Sequence, residues 1–515
     1  MKKDAISFKS DYFQILILIF FSTIVGMSYP YLQYGIDGGL VLSGIVKYPD
    51  LNSPMIYYFF NSWTSIHQFS SLLLQMGLSV EITSKILMIM ASILFSFGVF
   101  LFCFSLTKQK NLSLFIAVTS IILGKNFGDT DYPSLIFSEH TYGMLSLATF
   151  TFILGLIANK NIFFSCFLIL VLISIHPVIG VWTLLIVSFS FYYLKIYNDY
   201  KKDIYKGIVI GLFFVTASFL FFYFNSIEKL PYDKNLFLNY LDNWDGHRNI
   251  SKVIHYEYII KTILLTSLCF FCLRKKLNSS SYSPHLFIIL FSLIFSLVIY
   301  FLYKLIPNIF PNYLKIIMPS RFIMLHTFLG WPIIISIIIF LTNNHFKRKI
   351  IFLISLLLSL ILIQNYNKII SIKDGLVTNF ISKEESVVIN FIKKENTKTN
   401  LIVPSSLISH VFKKAQTPIL LHTESLDFIP YHPYLSNKFF YILEKIYNIK
   451  DDKPPEKNNP FLSDKYIKNV FESRSKDKWL SIKEEFNIEY ILVPNIWNLK
   501  LDIYIEDKNF KLYRL

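Results

Sequence analysis

The chain has 515 residues, of which 53% are hydrophobic and only 16% charged, with 51 phenylalanines and a mean hydropathy of +0.48. Soluble domains hold roughly 45–50% apolar and about 25% charged residues, so this composition excludes an ordinary soluble enzyme and points to a polytopic membrane protein. The formal net charge of +16 would suit nucleic acid. Its Lys and Arg, however, fall mostly in short clusters between apolar runs or near the C-terminus, which reads as membrane topology plus a basic soluble face, with no nucleic-acid partner.

The leading MKKDAISFKSDY runs into the first apolar stretch with no small-residue cleavage site behind it, so that stretch reads as a retained span. Apolar stretches follow one another at 13–29, 82–106, 112–123, 141–158, 162–175, 178–194, 207–224, 258–273, 286–303, 326–341 and 350–364, about eleven in all. Several are shorter than the roughly 20 helical residues that a hydrocarbon core of about 30 Å requires, so their ends are expected to continue into loop residues or to line a protein-enclosed cavity. Cys103, Cys166, Cys269 and Cys272 all lie inside these stretches. The CFFC spacing at 269–272 would fit a redox or metal pair, but a lipid-embedded helix is a poor place for either, and the four read as small core residues.

Placing the N-terminus in the cytoplasm makes the inner loops 1–12, 107–111, 159–161, 195–206, 274–285 and 342–349, with 16 Lys and Arg in 52 positions. The outer loops 30–81, 124–140, 176–177, 225–257 and 304–325 then hold 9 in 126. A bias of about fourfold is what the positive-inside rule predicts, and an odd span count leaves the C-terminus outside. The chain thus divides into a transmembrane part, 1–364, with a large first outer loop, 30–81, and an extracytoplasmic region, 365–515.

Outer loops collect the isolated acids, histidines and arginines, which are costly at membrane depth unless they meet water, a partner or a substrate. In the first loop, LQYGIDGGLVLSG places Asp37 among glycines near the mouth of the first span. It is either an Asx-turn residue favoured by Gly38 and Gly39, or a carboxylate at the lipid–water boundary that takes a proton from an acceptor hydroxyl or binds a cation. Further on, YYFFNSWTSIHQFSSLLLQMGL (57–78) is amphipathic enough to lie along the membrane surface. The second loop, GKNFGDTDYPSLIFSEHTYG, carries Asp129 and Asp131, either ordinary turn acids or an acid pair able to share a divalent cation with Asp37 and a phosphate, and Glu139 and His140 where the next span opens. His176 stands in the minimal turn IHPVIG, either capping a helix end or facing a cavity. LDNWDGHRN gathers Asp242, Asp245, His247 and Arg248 around Trp244, a mixture suited to polar substrate or to a solvated loop. PSRFIMLH brings Arg321 and His326 to the mouth of the tenth span. Arg321 is the preferred contact for a phosphate, which a guanidinium grips with two hydrogen bonds, unless it simply snorkels at the interface.

Beyond residue 364 the apolar runs shrink to strand length. NLIVP (400–404), PILLH (418–422) and EYILVP (489–494) read as buried strands, SKEESVVINFIKK (382–394) and DKWLSIKEEF (477–486) as helices. DIYIEDKNFKLYRL reads as a closing hairpin turning at Asp507, Lys508 and Asn509. Alternating strands and helices predict a small α/β domain.

Together these features resemble the GT-C superfamily of membrane glycosyltransferases: a first span with a long outer loop and an early acid, a second acidic outer loop, about eleven spans and a terminal extracytoplasmic domain. The stretch YPDLNSPMIYYFF (48–60) is also similar to the Pro-x-Tyr element that many members carry in the first loop. The resemblance implies transfer of a sugar from a polyprenyl-phosphate carrier to an acceptor outside a bacterial cytoplasmic membrane, the acceptor being a cell-envelope glycan, lipid or protein. It matches Asp37 to the first-loop catalytic acid, and Asp129 and Asp131 to the second-loop acidic motif. Asp37 is followed by Gly38 where many members have Glu, and no WWDYG-type motif occurs, so an oligosaccharyltransferase is not implied. No Walker-type or dinucleotide-binding glycine motif is present either, in keeping with a donor already activated on its lipid. The competing readings are a transporter or flippase for a lipid-linked saccharide, a polysaccharide polymerase or ligase, and a non-catalytic membrane scaffold. A transporter would place charges mid-span and show related halves, neither of which is visible.

Overall fold

A computed structural model of the protein describes residues 12–28, 35–123, 141–244, 256–277, 284–306, 330–380, 386–395, 399–404, 407, 410–421, 428–449 and 463–515. After α1 (Tyr12–Ser28), three short helices fill the first loop: α2 (Gly35–Leu42), α3 (Pro54–Asn61) and α4 (Ser65–Gln75). Then come α5 (Val80–Thr107), α6 (Lys110–Leu123), α7 (Thr141–Ala158), α8 (Ile162–Ile175), α9 (Pro177–Tyr193) and α10 (Ile196–Asn225). The short α11 (Lys234–Asn239) runs into a π-helical turn, Tyr240–Trp244, and α12 (Tyr256–Leu277), α13 (Pro284–Leu305), α14 (Gly330–Leu341) and α15 (Asn344–Gln364) complete the apolar part.

Each apolar stretch of the sequence is therefore helical where it is described. Among the described residues three segments, Val80–Thr107, Ile196–Asn225 and Pro284–Leu302, are long and apolar enough to cross a membrane, and several other apolar helices are shorter. Helix α10 begins at Ile196 rather than at 207, because Lys201, Lys202 and Lys206 favour helix although they end the hydropathy signal. A kink at Tyr200 falls within this polar start, before Lys201.

The long α5 is the centre of this part, packed by α1, α6, α7 and α14. Its crossing with α7 is close because glycines meet there: a Cβ on Gly98 would lie 2.5 Å from the Thr151 carbonyl carbon, and one on Gly155 would lie 2.8 Å from the Gly98 oxygen. Small residues that let backbones approach are the means by which helices associate where no hydrophobic gain separates lipid from protein. Buried hydroxyls add cross-links, as between Ser22 and Ser96 at 2.8 Å. All four cysteines are buried and unbridged.

Helix α16 (Tyr366–Phe380) packs back along α1, with Gly375 against the Ser28 carbonyl. The terminal region follows: α17 (Val387–Glu395), β1 (Asn400–Ile402), α18 (Ser436–Tyr447), α19 (Asp464–Ser473), α20 (Lys476–Phe486), β2 (Ile488–Pro494), β3 (Ile503–Glu506) and β4 (Phe510–Arg514). The sheet order is β1-β2-β4-β3, with β1 parallel to β2 and the other neighbours antiparallel. The expected hairpin is present, its turn held by Asp507 Oδ1, which accepts from the Asn509 and Phe510 amides at 2.8 and 2.9 Å. Where it is described, at 418–421, the stretch PILLH forms less strand than expected, a single parallel bridge from Ile419 to Leu401, and His422 lies outside the described residues. Pro418 has no amide to donate, and the next two carbonyls are taken by a side chain of the first loop.

Candidate functional site at the junction of first loop and terminal region

Asp37 is not an Asx-turn residue. It lies in the first turn of α2, where a carboxylate is favoured by the helix dipole, and is 6% exposed. The glycines beside it serve helix contact. Gly38 lies against the imidazole of His67 on α4, and a Cβ on Gly39 would sit 2.5 Å from the Ser70 Cβ. The stretch 57–78 is accordingly not one continuous helix. Ser62 and Trp63 separate α3 from α4, whose N-cap Thr64 accepts from the Ile66 amide at 3.3 Å. On α4, Ile66, His67, Ser70, Ser71 and Leu74 face inward while Phe69 and Leu72 face out, so three polar side chains lie on its buried face.

The Asp37 carboxylate meets the terminal region. Lys413 Nζ stands 3.7 Å from its Oδ1, and the lysine, on the π-helical turn His410–Ala415, is 4% exposed. Taking two such charges out of water costs several kcal/mol per ion, offset only in part by their attraction. Tyr48 lies near enough for its hydroxyl to be pushed well above the usual tyrosine range, by burial first and then by the Asp37 charge.

Around this pair the first loop clasps the terminal region over much of 48–60. Ser53 caps α3, accepting from the Met55 amide at 3.1 Å, and donates to the Ile419 and Leu420 carbonyls at 3.2 and 2.8 Å. Asp50 accepts from the side-chain amides of Asn400 at 3.2 Å and Asn487 at 3.3 Å, and Lys438 donates to the Leu51 carbonyl. Tyr58 stacks on Phe428, with ring centroids 3.8 Å apart, and Phe59 on Phe412 at 5.6 Å.

His432 closes the cluster. Its Nε2 is 3.1 Å from Ser62 Oγ and its Nδ1 is 2.8 Å from the Tyr434 hydroxyl, while its ring meets Tyr58 edge-on. Burial, and then the charge of Lys229, lowers its pKa to about 3. His67 is likewise pushed down to about 3 by burial and by His432, so both rings are neutral at ordinary pH.

Of the other site residues expected from sequence, His176 is the N-cap of α9, its Nδ1 accepting from the Ile179 amide at 3.4 Å. Its turn abuts the first loop, since Thr64 Oγ1 donates to the Ile175 carbonyl at 3.0 Å and Ser174 to Ser65 Oγ at 3.1 Å. Asp129, Asp131, Glu139, His140, Asp245, His247, Arg248, Arg321 and His326 lie outside the described residues. Trp244 is buried against Phe440, their centroids 5.5 Å apart. Among the described residues no group of three acids, histidines or cysteines could hold a metal ion, and the cation facing Asp37 is the Lys413 ammonium.

Sequence reasoning missed Lys413, Tyr48, His67 and His432. A local signal existed for His67, since His67, Ser70, Ser71 and Leu74 fall at helical spacing on one face. For Lys413 there was none, because its partner lies far away in the sequence. The chain matches no protein-family model and no curated protein.

Proposed function

We propose that the protein is a membrane glycosyltransferase of GT-C type. In this reading it moves a sugar from a polyprenyl-phosphate donor to an extracytoplasmic acceptor, with Asp37 as the base. About eleven helices cross a bacterial cytoplasmic membrane, the N-terminus lies inside, and the first loop and terminal region face the other side.

The observation that carries this reading is the position of Asp37, a buried carboxylate on the first loop where membrane helices and terminal region meet. Charges kept in such places are expensive and are functional by default. In the reaction, Asp37 takes the proton from the acceptor hydroxyl as its oxygen forms the new bond to the sugar C1. The bond from C1 to the carrier phosphate oxygen breaks, and its electron pair leaves with the phosphate, whose charge a cationic side chain stabilises.

The test is Asp37→Asn in purified protein reconstituted in liposomes, assayed for transfer from a polyprenyl-phosphate sugar. Loss of general-base catalysis lowers the rate by about 10²–10⁴-fold. Undiminished transfer by Asp37→Asn removes Asp37 as base. A second reading, favoured by the Lys413 contact, is that Asp37 only joins loop to terminal region. It predicts that replacing both charges by neutral groups leaves activity intact.

A further inference from the structure

We propose that the outward face at the start of α10 holds the headgroup of an anionic phospholipid, with Lys202 and Lys206 on its phosphate and Tyr205 between them. The site is independent of sugar transfer and requires only that α10 crosses the membrane. This helix packs by one stripe. Ile196, Ile204, Gly207, Gly211 and Ser218 are buried. A Cβ on Gly207 would lie 2.5 Å from the Phe163 oxygen and one on Gly211 2.8 Å from the Leu170 Cβ, so the stripe is pressed against α8. The far end is tied to the first loop, where Trp63 Nε1 and Gln68 Nε2 donate to the Ser218 hydroxyl and carbonyl at 3.2 and 2.8 Å. Away from that stripe the helix is open: Lys202, Tyr205 (70% exposed), Lys206, Val209, Leu212 and Phe213 (78%) all face out.

Between Lys206 and Val209 this face passes from basic to apolar, which sets the lysines and the tyrosine at headgroup level with the acyl chains beside Val209, Leu212 and Phe213. Lys202 and Lys206 stand one turn apart on the same side, a like-charge spacing that weakens a helix unless an anion lies between. The nearby acids do not supply it. Asp203 acts electrostatically on Cys166 of α8, and both Asp199 and Asp203 act on Tyr200, so the two carboxylates lie toward the packed flank. A second copy of the chain fits the face poorly. A two-fold axis along the membrane normal would bring the same lysines together. The two glycines and the serine of α10, residues of the small type through which membrane helices associate, are already on its buried side.

The experiment uses the full chain in nanodiscs of phosphatidylcholine with a minor fraction of phosphatidylglycerol. A trace of one lipid or the other carries a photoreactive group near its glycerol, and adducts are mapped by peptide mass. Residues 202–213 should be labelled severalfold more by the phosphatidylglycerol probe than by the phosphatidylcholine probe. Lys202→Gln/Lys206→Gln should bring the two probes to parity by lowering only the anionic one, and Lys202→Arg/Lys206→Arg should keep the excess. High salt on the unaltered chain should shrink the excess too, because these charges are exposed, and so tests the site without any variant. Parity of the probes in the unaltered chain overturns the proposal, as does an excess that ignores salt or survives the glutamine pair. Equal loss on neutralising Arg348 and Lys349 of α15 also overturns it, since the effect would then follow the net charge of that membrane side. Failure of both lipids to label the face, with Phe213→Cys cross-linking between copies, would assign it to a second copy instead.

Discussion

The imidazole of His67 lies against the Cα of Gly38, the residue that follows Asp37, so that a methyl group there would overlap the ring. Helix α2 is held in place by this contact, and the direction of the Asp37 side chain depends on it. Gly38→Ala should destabilise the protein by about 1–3 kcal/mol, the usual cost of overpacking. In a His67→Ala background the space is open, and most of that cost should vanish. Denaturant unfolding of the two single variants and the double variant gives the coupling directly. An equal cost of Gly38→Ala in both backgrounds would show that the ring is not the obstacle.

Acid should loosen the same junction. His67 and His432 each titrate near 3 in the folded protein, against about 6.5 when unfolded, with burial as the chief cause for both. Between these values the unfolded chain binds more protons, so the histidines' contribution is complete above pH 6.5 and declines as pH falls toward 3. Each should contribute a slope of about 1.4 kcal/mol per pH unit in that window. Thermal unfolding from pH 7.5 to 4.5 tests this. His432→Gln, which keeps a polar side chain near Ser62 and Tyr434, should show a visibly shallower slope than the wild type. Identical slopes would remove His432 from the account.

Within the apolar part, the crossing of α5 and α7 should be the most sensitive to added volume. Gly98→Val would drive a branched side chain into the Thr151 backbone, which already stands 2.5 Å from an ideal Cβ. Backbone cannot rotate away as a side chain can, so a loss of at least about 2–3 kcal/mol is expected. Gly77→Ala, at a position with open space around it, is the matched comparison, although its left-handed backbone (φ +87°) carries a small strain of its own. Refolding from denaturing detergent into micelles measures both, and a milder effect at Gly98 than at Gly77 would contradict the packing argument.

How much was legible in the sequence follows the range of the interactions concerned. Helical apolar stretches and the hairpin at Asp507 were readable because hydropathy and turn chemistry act within a few residues. The extra start of α10 was not, since lysines end a hydropathy run while continuing a helix. Gly38 and Gly39 looked like turn formers because glycine signals turns and close helix contacts with the same letter, and only the position of α4 decides between them. The junction was the least legible part. Asp37 stood out as a lone acid, but Lys413 was one lysine among many until the fold placed it opposite. His432 gains its meaning from Ser62, Tyr434 and Tyr58, two of which come from the first loop.

The clasp itself should yield to a single atom change. Ser53 Oγ accepts from Met55 and donates to the carbonyls of Ile419 and Leu420, so one hydroxyl caps α3 and completes the short pairing beside β1. Ser53→Ala leaves buried carbonyls without that donor and removes the cap, at a cost of about 1–2 kcal/mol. Ser53→Thr retains the hydroxyl and should recover most of it. The loss should also be local. Hydrogen exchange should quicken at Leu401, whose amide donates to Pro418, and at Leu420, whose amide donates to Leu401, while β3 and β4 keep their protection. Uniform acceleration across the terminal region would instead mean that Ser53 supports the whole region's folding rather than its attachment to the first loop.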